Sequence, residues 1–351
     1  MDSSFTAYRR SVYRQRLWLV IATLILLMTA LVALLIGPVA LGFEDFLPVS
    51  RTTTQDLGRH IIWQIRMPRI CGAMLGGAGF SVAGMVLQTI LRNPLASPST
   101  LGISQGAAFG AACGVIILGL LDANVGNQSA MLSYHPYLIS SLAFAGALAT
   151  TTCIALLATI YRVNREMIIL AGVALSAFFM AGTTILQYFA DETQLASIVS
   201  WTFGDVGRAS WSELKIMVLI VGSGLLFIYR QTMKFNALLA GTDAAGALGV
   251  SVVRLRLLSI TVAALMTAII VTFFGVISFV GLVAPHMARI IVGEKAEVLL
   301  PMSALLGALL LLGADLIGRL VLSPVILPAG VITAFMGTPI FFFLLFGGKR
   351  Q

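Results

Sequence analysis

Two arginines flank a proline in the run Arg66-Met67-Pro68-Arg69. Guanidinium forks match carboxylates in a fixed, bidentate geometry, so the pair suits an acidic surface on a docking protein. A lipid-headgroup anchor is the plainer use of the same charges. Asp315 and Arg319 are spaced i, i+4 and can clamp to each other on one helix face. The stretch Leu91-Arg92-Asn93-Pro94-Leu95-Ala96-Ser97-Pro98 holds two helix-breaking prolines. Asn93 and Ser97 can bond the backbone groups those prolines free, which makes a tight, structured turn. A further segment, Ala237 to Gly249, is rich in alanine and glycine. Thr242 or Asp243 can cap a short helix there, and Gly249 can end it. With Arg254 and Arg256 beside it, that helix fits the membrane surface or a groove on a partner.

Enzymatic and metal chemistry find no comparable constellation. Cys71, Cys113 and Cys153 lie far apart, as do His60, His135 and His286. Zinc and iron–sulfur sites need such ligands clustered. Ser140-Ser141 has no base nearby, which argues against an intramembrane enzyme. His286 follows Pro285 and reads as a helix-end histidine satisfied by backbone, not as a proton relay. No G-x-x-x-x-G-K-[ST] run occurs, so a nucleotide-hydrolysing partner must be a separate chain.

The elements that position these residues are set by the apolar content. Of 351 residues, 59% are apolar and 10% charged. Soluble domains carry about 25% charged residues. There is too little polar surface here to coat a water-soluble globule, and the mean hydropathy is +1.00. Windows free of Asp, Glu, Lys and Arg run over 17–43, 70–91, 93–121, 123–161, 167–190, 216–229, 257–288, 298–314 and 320–348. A span needs about 20 apolar residues. The window 257–288 is too long for one helix and splits at its glycines into 257–275 and a shorter 279–292. An all-α, ten-helix membrane protein in a single domain, 1–351, follows. The run 17–36 behind Arg9, Arg10, Arg14 and Arg16 is too long for the core of a cleaved signal peptide, so it reads as a retained first helix. Many of the 34 glycines, Gly72, Gly76, Gly77, Gly79 and Gly84 among them, sit in apolar segments where small residues let helices approach closely.

With the N-terminus placed in the cytoplasm, 15 of the 22 Lys and Arg fall on inner segments and seven on outer ones. Nine of the 14 acids fall outside. This positive-inside bias places both termini in the cytoplasm. Topology and anionic lipid account for the net charge of +8, with no need of nucleic acid. Ion-driven carriers keep ionisable side chains near mid-membrane. These windows are nearly clean of them, so a self-sufficient secondary transporter is disfavoured and the energy comes from outside the chain.

Several ordered motifs resemble those of one family. They are Arg66-x-Pro-Arg69, a Gly/Ala-rich helix to Gln88, and Arg92-Asn-Pro-Leu-Ala-Ser-Pro-Ser-Thr-Leu-Gly102. Gly275-Val-Ile-Ser-Phe-Val-Gly-Leu-Val-Ala-Pro-His-Met-Ala-Arg289, Leu300-Pro301, Ala314-Asp-Leu-Ile-Gly-Arg319 and Leu327-Pro-Ala-Gly-Val-Ile-Thr333 continue the pattern. The chain is similar, from about 17 to 346, to the FecCD-type permease subunits of bacterial ABC importers for ferric siderophores, haem and vitamin B12. The resemblance implies the type II importer permease fold in the cytoplasmic (inner) membrane. It implies a second permease subunit, most simply a homodimer, two cytoplasmic ATPase subunits that use ATP and Mg, and a periplasmic or lipid-anchored substrate-binding protein. No cofactor is bound by the permease itself, which has no enzymatic activity of its own. Arg66, Arg69 and Arg319 match the arginines that meet glutamates of the binding protein. Asn93 and Leu95 match an inner gate, and Asn164 and Arg165 fall near its second segment. Helix 167–190 and the stretch 194–205 line the pathway, with Met180, Thr183, Gln187 and Phe203 as candidate lining residues. Gly241, Thr242, Asp243, Ala245, Leu248 and Gly249, within the inner loop 230–256, match the coupling helices that seat in the ATPase. The family has an acid directly after the first glycine, where this chain has Thr242 and then Asp243. Ferric siderophore is the favoured cargo, with haem and vitamin B12 as alternatives.

Overall fold

The computed structural model describes residues 2–37, 58–125, 137–160 and 165–347. All regular structure among them is helical. The long apolar helices are α1 (Asp2–Leu35), α2 (Gly58–Leu91), α3 (Ile103–Val125), α4 (Leu138–Ile160), α5 (Arg165–Phe189), α7 (Trp211–Arg230), α10 (Val252–Phe274) and α12 (Ala296–Leu320). Two shorter apolar helices, α11 (Val280–Val292) and α13 (Ala329–Gly347), complete the ten. The split expected within 257–288 falls at Gly275, whose φ of 77° stops α10, and α11 resumes at Val280. Three short helices join them: α6 (Glu192–Thr202), α8 (Thr232–Leu239) and α9 (Thr242–Ala247).

Local sequence explains where these helices start. Asp191 caps α6 with its carboxylate on the Gln194 N–H, and Gln194 answers on the Asp191 N–H. That reciprocal pair satisfies two donors a helix start would leave open. The bond from the Gln194 N–H, with one from the Thr193 hydroxyl, holds the Asp191 carboxyl below the usual carboxylate range. Ser210 and Glu213 form the same box at the start of α7.

Helix α2 is the axis of the bundle. It packs against α12, α10, α11 and α7, and nearly all its residues from Pro68 to Leu91 are buried. Its glycines make this possible. A Cβ on Gly84 would run into the backbone carbonyl of Gly281 on α11, and one on Gly77 into that of Gly307 on α12. Backbones touching at that range gain dispersion contact without side-chain entropy loss, which is how apolar helices associate where no hydrophobic effect separates them from lipid. Helix α5 is the opposite case. Leu170, Val173, Phe178, Ile185, Tyr188 and Phe189 all point away from the chain.

The packing argument makes a direct forecast. Gly84→Ala overpacks a backbone contact and should cost about 1–3 kcal/mol, read as a lower thermal unfolding midpoint in detergent. Gly222→Ala, on α7 with open space around it, should leave that midpoint unchanged.

Candidate functional site

The arginines of the Arg66-x-Pro-Arg69 motif and Arg319 converge at one end of the bundle, but they turn inward. Arg66, Arg69 and Arg319 expose only 4%, 7% and 3% of their surface. Asp315, fully buried, lies between two of them. Arg69 Nε donates to Asp315 Oδ1 at 2.7 Å. Arg319 Nε lies 3.2 Å from Asp315 Oδ2, a charge contact without hydrogen-bond alignment. The i, i+4 clamp foreseen for Asp315 and Arg319 is therefore formed. Arg69 Nη2 also reaches Asp205 at a longer 3.4 Å, and that aspartate is 35% exposed.

The remaining donors close the last turn of α1. Arg66 Nη1 donates to the Leu34 and Leu35 carbonyls at 2.7 and 3.0 Å, and Arg319 Nη1 to Ala33 at 3.1 Å. Those carbonyls have no partner within their own helix, and the helix dipole makes that end negative. Two cations thus satisfy a helix terminus, and one carboxylate neutralises the pair of guanidiniums nearest it. The three arginines, read from sequence as an outward docking fork, are in this conformation an internal brace. The local sequence shows the charges but not that α1 ends beside them.

Beside this brace, residues 203–209 form an irregular crossing. Asp205 N–H donates to the Phe274 carbonyl at 2.7 Å, and Gly330 N–H to the Gly204 carbonyl at 2.8 Å. Gly204 takes a φ of 67°, and a Cβ there would hit the Val276 carbonyl, so the crossing needs glycine. Arg208 donates to the Ser200 carbonyl at 2.8 Å. Burial lowers its pKa, and the neighbouring Asp205 carboxylate works against that fall. Asp205 was visible in the sequence only as one acid among fourteen; the Gly204-Asp205 pair after an apolar run was its only signal.

Of the expected pathway residues, Met180 and Phe203 are exposed and Gln187 is half-buried. Thr183 differs. It is buried, and its hydroxyl donates back to the Phe179 carbonyl at 2.9 Å. On a helix that side-chain bond costs nothing in length, so the hydroxyl is spent locally.

The opposite end of the bundle holds the second group. Arg92 ends α2 in the left-handed region, with φ 47°. Asn93 Oδ1 then accepts from the Leu95 N–H at 2.8 Å, closing the turn foreseen from its prolines. Leu95 is exposed. Asn164 lies outside the described residues, and Arg165 is the first residue of α5. Arg289 on α11 bonds Gln88 Oε1 and, at 3.2 Å, the Thr89 hydroxyl. Gln88 Nε2 donates to the Leu282 carbonyl at 3.1 Å, so α2 and α11 are latched both ways.

The segment 237–250 holds the end of α8, a turn and α9. The expected cap is corrected: Gly241, not Thr242 or Asp243, is the capping residue, with φ 131° and no side-chain bond. That conformation is open to glycine alone, and it places Thr242 and Asp243 inside the first turn. There the Asp243 charge still suits the helix dipole. Gly249 ends α9 as expected. Its N–H bonds the Gly246 carbonyl at 2.9 Å, and the Val250 N–H bonds Ala245 at 3.0 Å. Those two bonds with φ 76° at Gly249 are the Schellman pattern. Ala245 is buried, while Leu248 stands 72% exposed.

Asn236 on α8 does what no residue of α12 does for itself. Its Oδ1 accepts from the Ala296 N–H at 2.9 Å, and its Nδ2 donates to Glu297 at 2.6 Å. It caps α12 from another helix.

Ten apolar helices with charged groups gathered at the two ends define a polytopic membrane protein. The chain belongs to the FecCD transport family, whose model matches residues 24–347. It is 43% identical over 93% of its length to an ABC transporter permease protein of Methanocaldococcus jannaschii, 93% of which is covered. It is 33% identical to the hemin transport system permease HmuU of Yersinia pestis, with 96% of this chain and 97% of that one aligned. Further relatives are named for vitamin B12 and Fe(3+)-citrate import. Among solved structures, a metal-chelate type ABC transporter in an inward-facing conformation superposes with a TM-score of 0.78 at 31% identity, covering 94% of this chain and 98% of that one.

The brace makes a quantitative forecast. Asp315→Ala leaves two buried guanidiniums without their carboxylate and should destabilise the chain by about 3–5 kcal/mol, seen as a fall in folded yield and unfolding midpoint. Asp205→Ala, at a partly exposed pair, should cost under about 1 kcal/mol.

Proposed function

We propose that this chain is the permease subunit of an ATP-driven importer that moves a metal chelate across the cytoplasmic membrane, with ferric siderophore as the favoured cargo and haem or vitamin B12 as the alternatives. The observation that carries this reading is the two-ended arrangement. A charged brace and an irregular crossing lie at one end, and an exposed short-helix segment lies at the other, joined by α2 and α12. Family membership and the names of the relatives support it. The positive-inside bias puts the 237–250 segment and both termini in the cytoplasm and the brace outside.

In this reading the permease pairs with a second copy, and the exposed face of α5, with Met180, Gln187 and Phe203, borders the pathway between subunits. Asn93 and Leu95, with Asn164 and Arg165, form the inner gate. Two cytoplasmic ATPase subunits bind and hydrolyse ATP with Mg. They seat on Gly241–Gly249, where Leu248 is the projecting apolar anchor and Thr242, Asp243 and Ala245 shape the helix that presents it. The chelated metal is cargo, not a cofactor of this chain. A weakly binding, largely apolar passage releases what a tight site would hold.

A substrate-binding protein docks on the outer end through Arg66, Arg69 and Arg319. Their burial sets how. Arg69 is the one shared with a partly exposed acid at long range, so an incoming carboxylate takes it by displacing Asp205. Arg66 and Arg319 hold the rim in place.

Two measurements test this. Asp205→Asn removes the competing acid and should tighten docking of the binding protein by about two- to fivefold at low salt; unchanged affinity rejects the exchange. Vesicles carrying permease, ATPase and the binding protein should take up ferric siderophore only with ATP inside the ATPase compartment. Leu248→Asp should stop the ATPase from co-purifying. Uptake against a gradient by the permease alone would overturn the importer reading.

A further inference from the structure

The carbonyl oxygen of Leu238 joins two segments that the sequence keeps 146 residues apart. It accepts from the N–H of Gly241, the residue that leads from the α8–α9 turn into α9, at 3.2 Å. It also accepts from Arg92 Nη2 at 2.7 Å. Arg92 is the residue directly before Asn93 and the Asn93-Pro94-Leu95 turn. It holds a left-handed φ of 47°, which a non-glycine residue keeps only when its surroundings fix it. The guanidinium anchored on Leu238 is such a fixture. A carbonyl has two lone pairs, so one oxygen serves both turns at once. Asn236 also ties α8 to the bundle, by capping α12.

We propose that Arg92 is the positioning residue that couples the ATPase-facing segment to the inner gate: movement of Leu238 carries the Arg92 side chain, and with it the backbone that sets Asn93 and Leu95. The proposal rests on the reading of 241–249 as the ATPase seat. The geometry is a short, charge-assisted bond that holds the end of the Arg92 side chain on α8, and charged donors make the stronger bonds to carbonyls. Asn236 gives the same segment a second output, into α12. The two outputs reach helices that meet again at the brace, so a displaced α8 acts on both walls together.

The test uses the full complex of permease, ATPase and binding protein in nanodiscs, with the three native cysteines replaced by alanine. Reactivity of Leu95→Cys toward a water-soluble maleimide reports the gate with and without vanadate-trapped nucleotide. With Arg92 present, nucleotide should change that reactivity by about fivefold or more. In Arg92→Gln the complex should assemble and hydrolyse ATP within about twofold of the parent rate while the gate response falls below about twofold. A gate that still responds in full overturns the proposal. A purely structural role would instead lower assembly and hydrolysis together.

A second measurement stands if Arg92→Gln does not fold. Spin labels at Leu95→Cys and Leu239→Cys, with Arg92 kept and the three native cysteines replaced by alanine, should keep their separation within about 2 Å between nucleotide states, as parts moving together do. A larger change overturns the link. Leu248→Cys separates the two levels of the argument. If it is shielded from maleimide in the complex and the label distance still changes, only the Arg92 link fails. If it stays reactive in the assembled complex, the ATPase seat is misplaced and the link falls with it.

Discussion

A carboxylate with no exposed surface decides the shape of one end of the bundle. Asp315 sits where an unpaired charge would cost several kcal/mol, and it is tolerable only because Arg69 and Arg319 flank it. Those guanidiniums are in turn tolerable because Asp315 and the carbonyls of Ala33 and Ile36 receive them, the last at 3.5 Å. Neither half can be removed without stranding the other. The result fixes three helices to one point: α2 through Arg69, α12 through Asp315 and Arg319, and α1 through its open carbonyls. Arg66 adds a second tie from the start of α2 to α1.

Stiffness carries that fixed point across the bundle. Helix α12 has 25 residues and so spans about 37 Å. Along it, α2 is in backbone contact at Gly77 and Gly307, where no flexible side chain can absorb a shift. Close-packed interiors shift between discrete arrangements more readily than they deform. At the opposite end, Arg92 and Asn236 hold the same two helices to α8, and Gln88 and Arg289 hold α2 to α11. Gln15 adds a bond from α1 to the end of α11, at the Val292 carbonyl. A load applied to α8 therefore meets two stiff helices already joined at their far ends. Helix α5, without such backbone contacts along its exposed face, is free to take a neighbour there.

Much of the architecture was legible because membranes impose simple rules. Charge-free windows of the right length mark spans, and the glycine-bounded break after Gly275 marks the split into α10 and α11. The Asn93-Pro94 turn and the glycine stop at Gly249 follow from backbone chemistry that acts within a few residues. The cap of α9 was misread because Thr242 and Asp243 are the usual capping types. The chain enters that helix instead through a φ of 131° at Gly241, which only a glycine grants. For Thr183 the sequence shows a hydroxyl on an apolar helix, and only the structure shows its bond to the Phe179 carbonyl.

The roles of the charged side chains were not legible in the same way. Sequence determined that Arg66, Arg69, Asp315 and Arg319 exist, lie near helix ends and include one i, i+4 pair. Which way they face depends on helices hundreds of residues apart meeting at one end, and above all on where α1 stops. The same holds for Arg92 and Leu238, and for Asn236 and Ala296. Spans follow from local apolar content because lipid reads each segment on its own. Ion pairs and borrowed caps follow from packing, because a charge is satisfied by whatever group the fold brings within 3 Å or so, and only the tertiary structure decides which group that is.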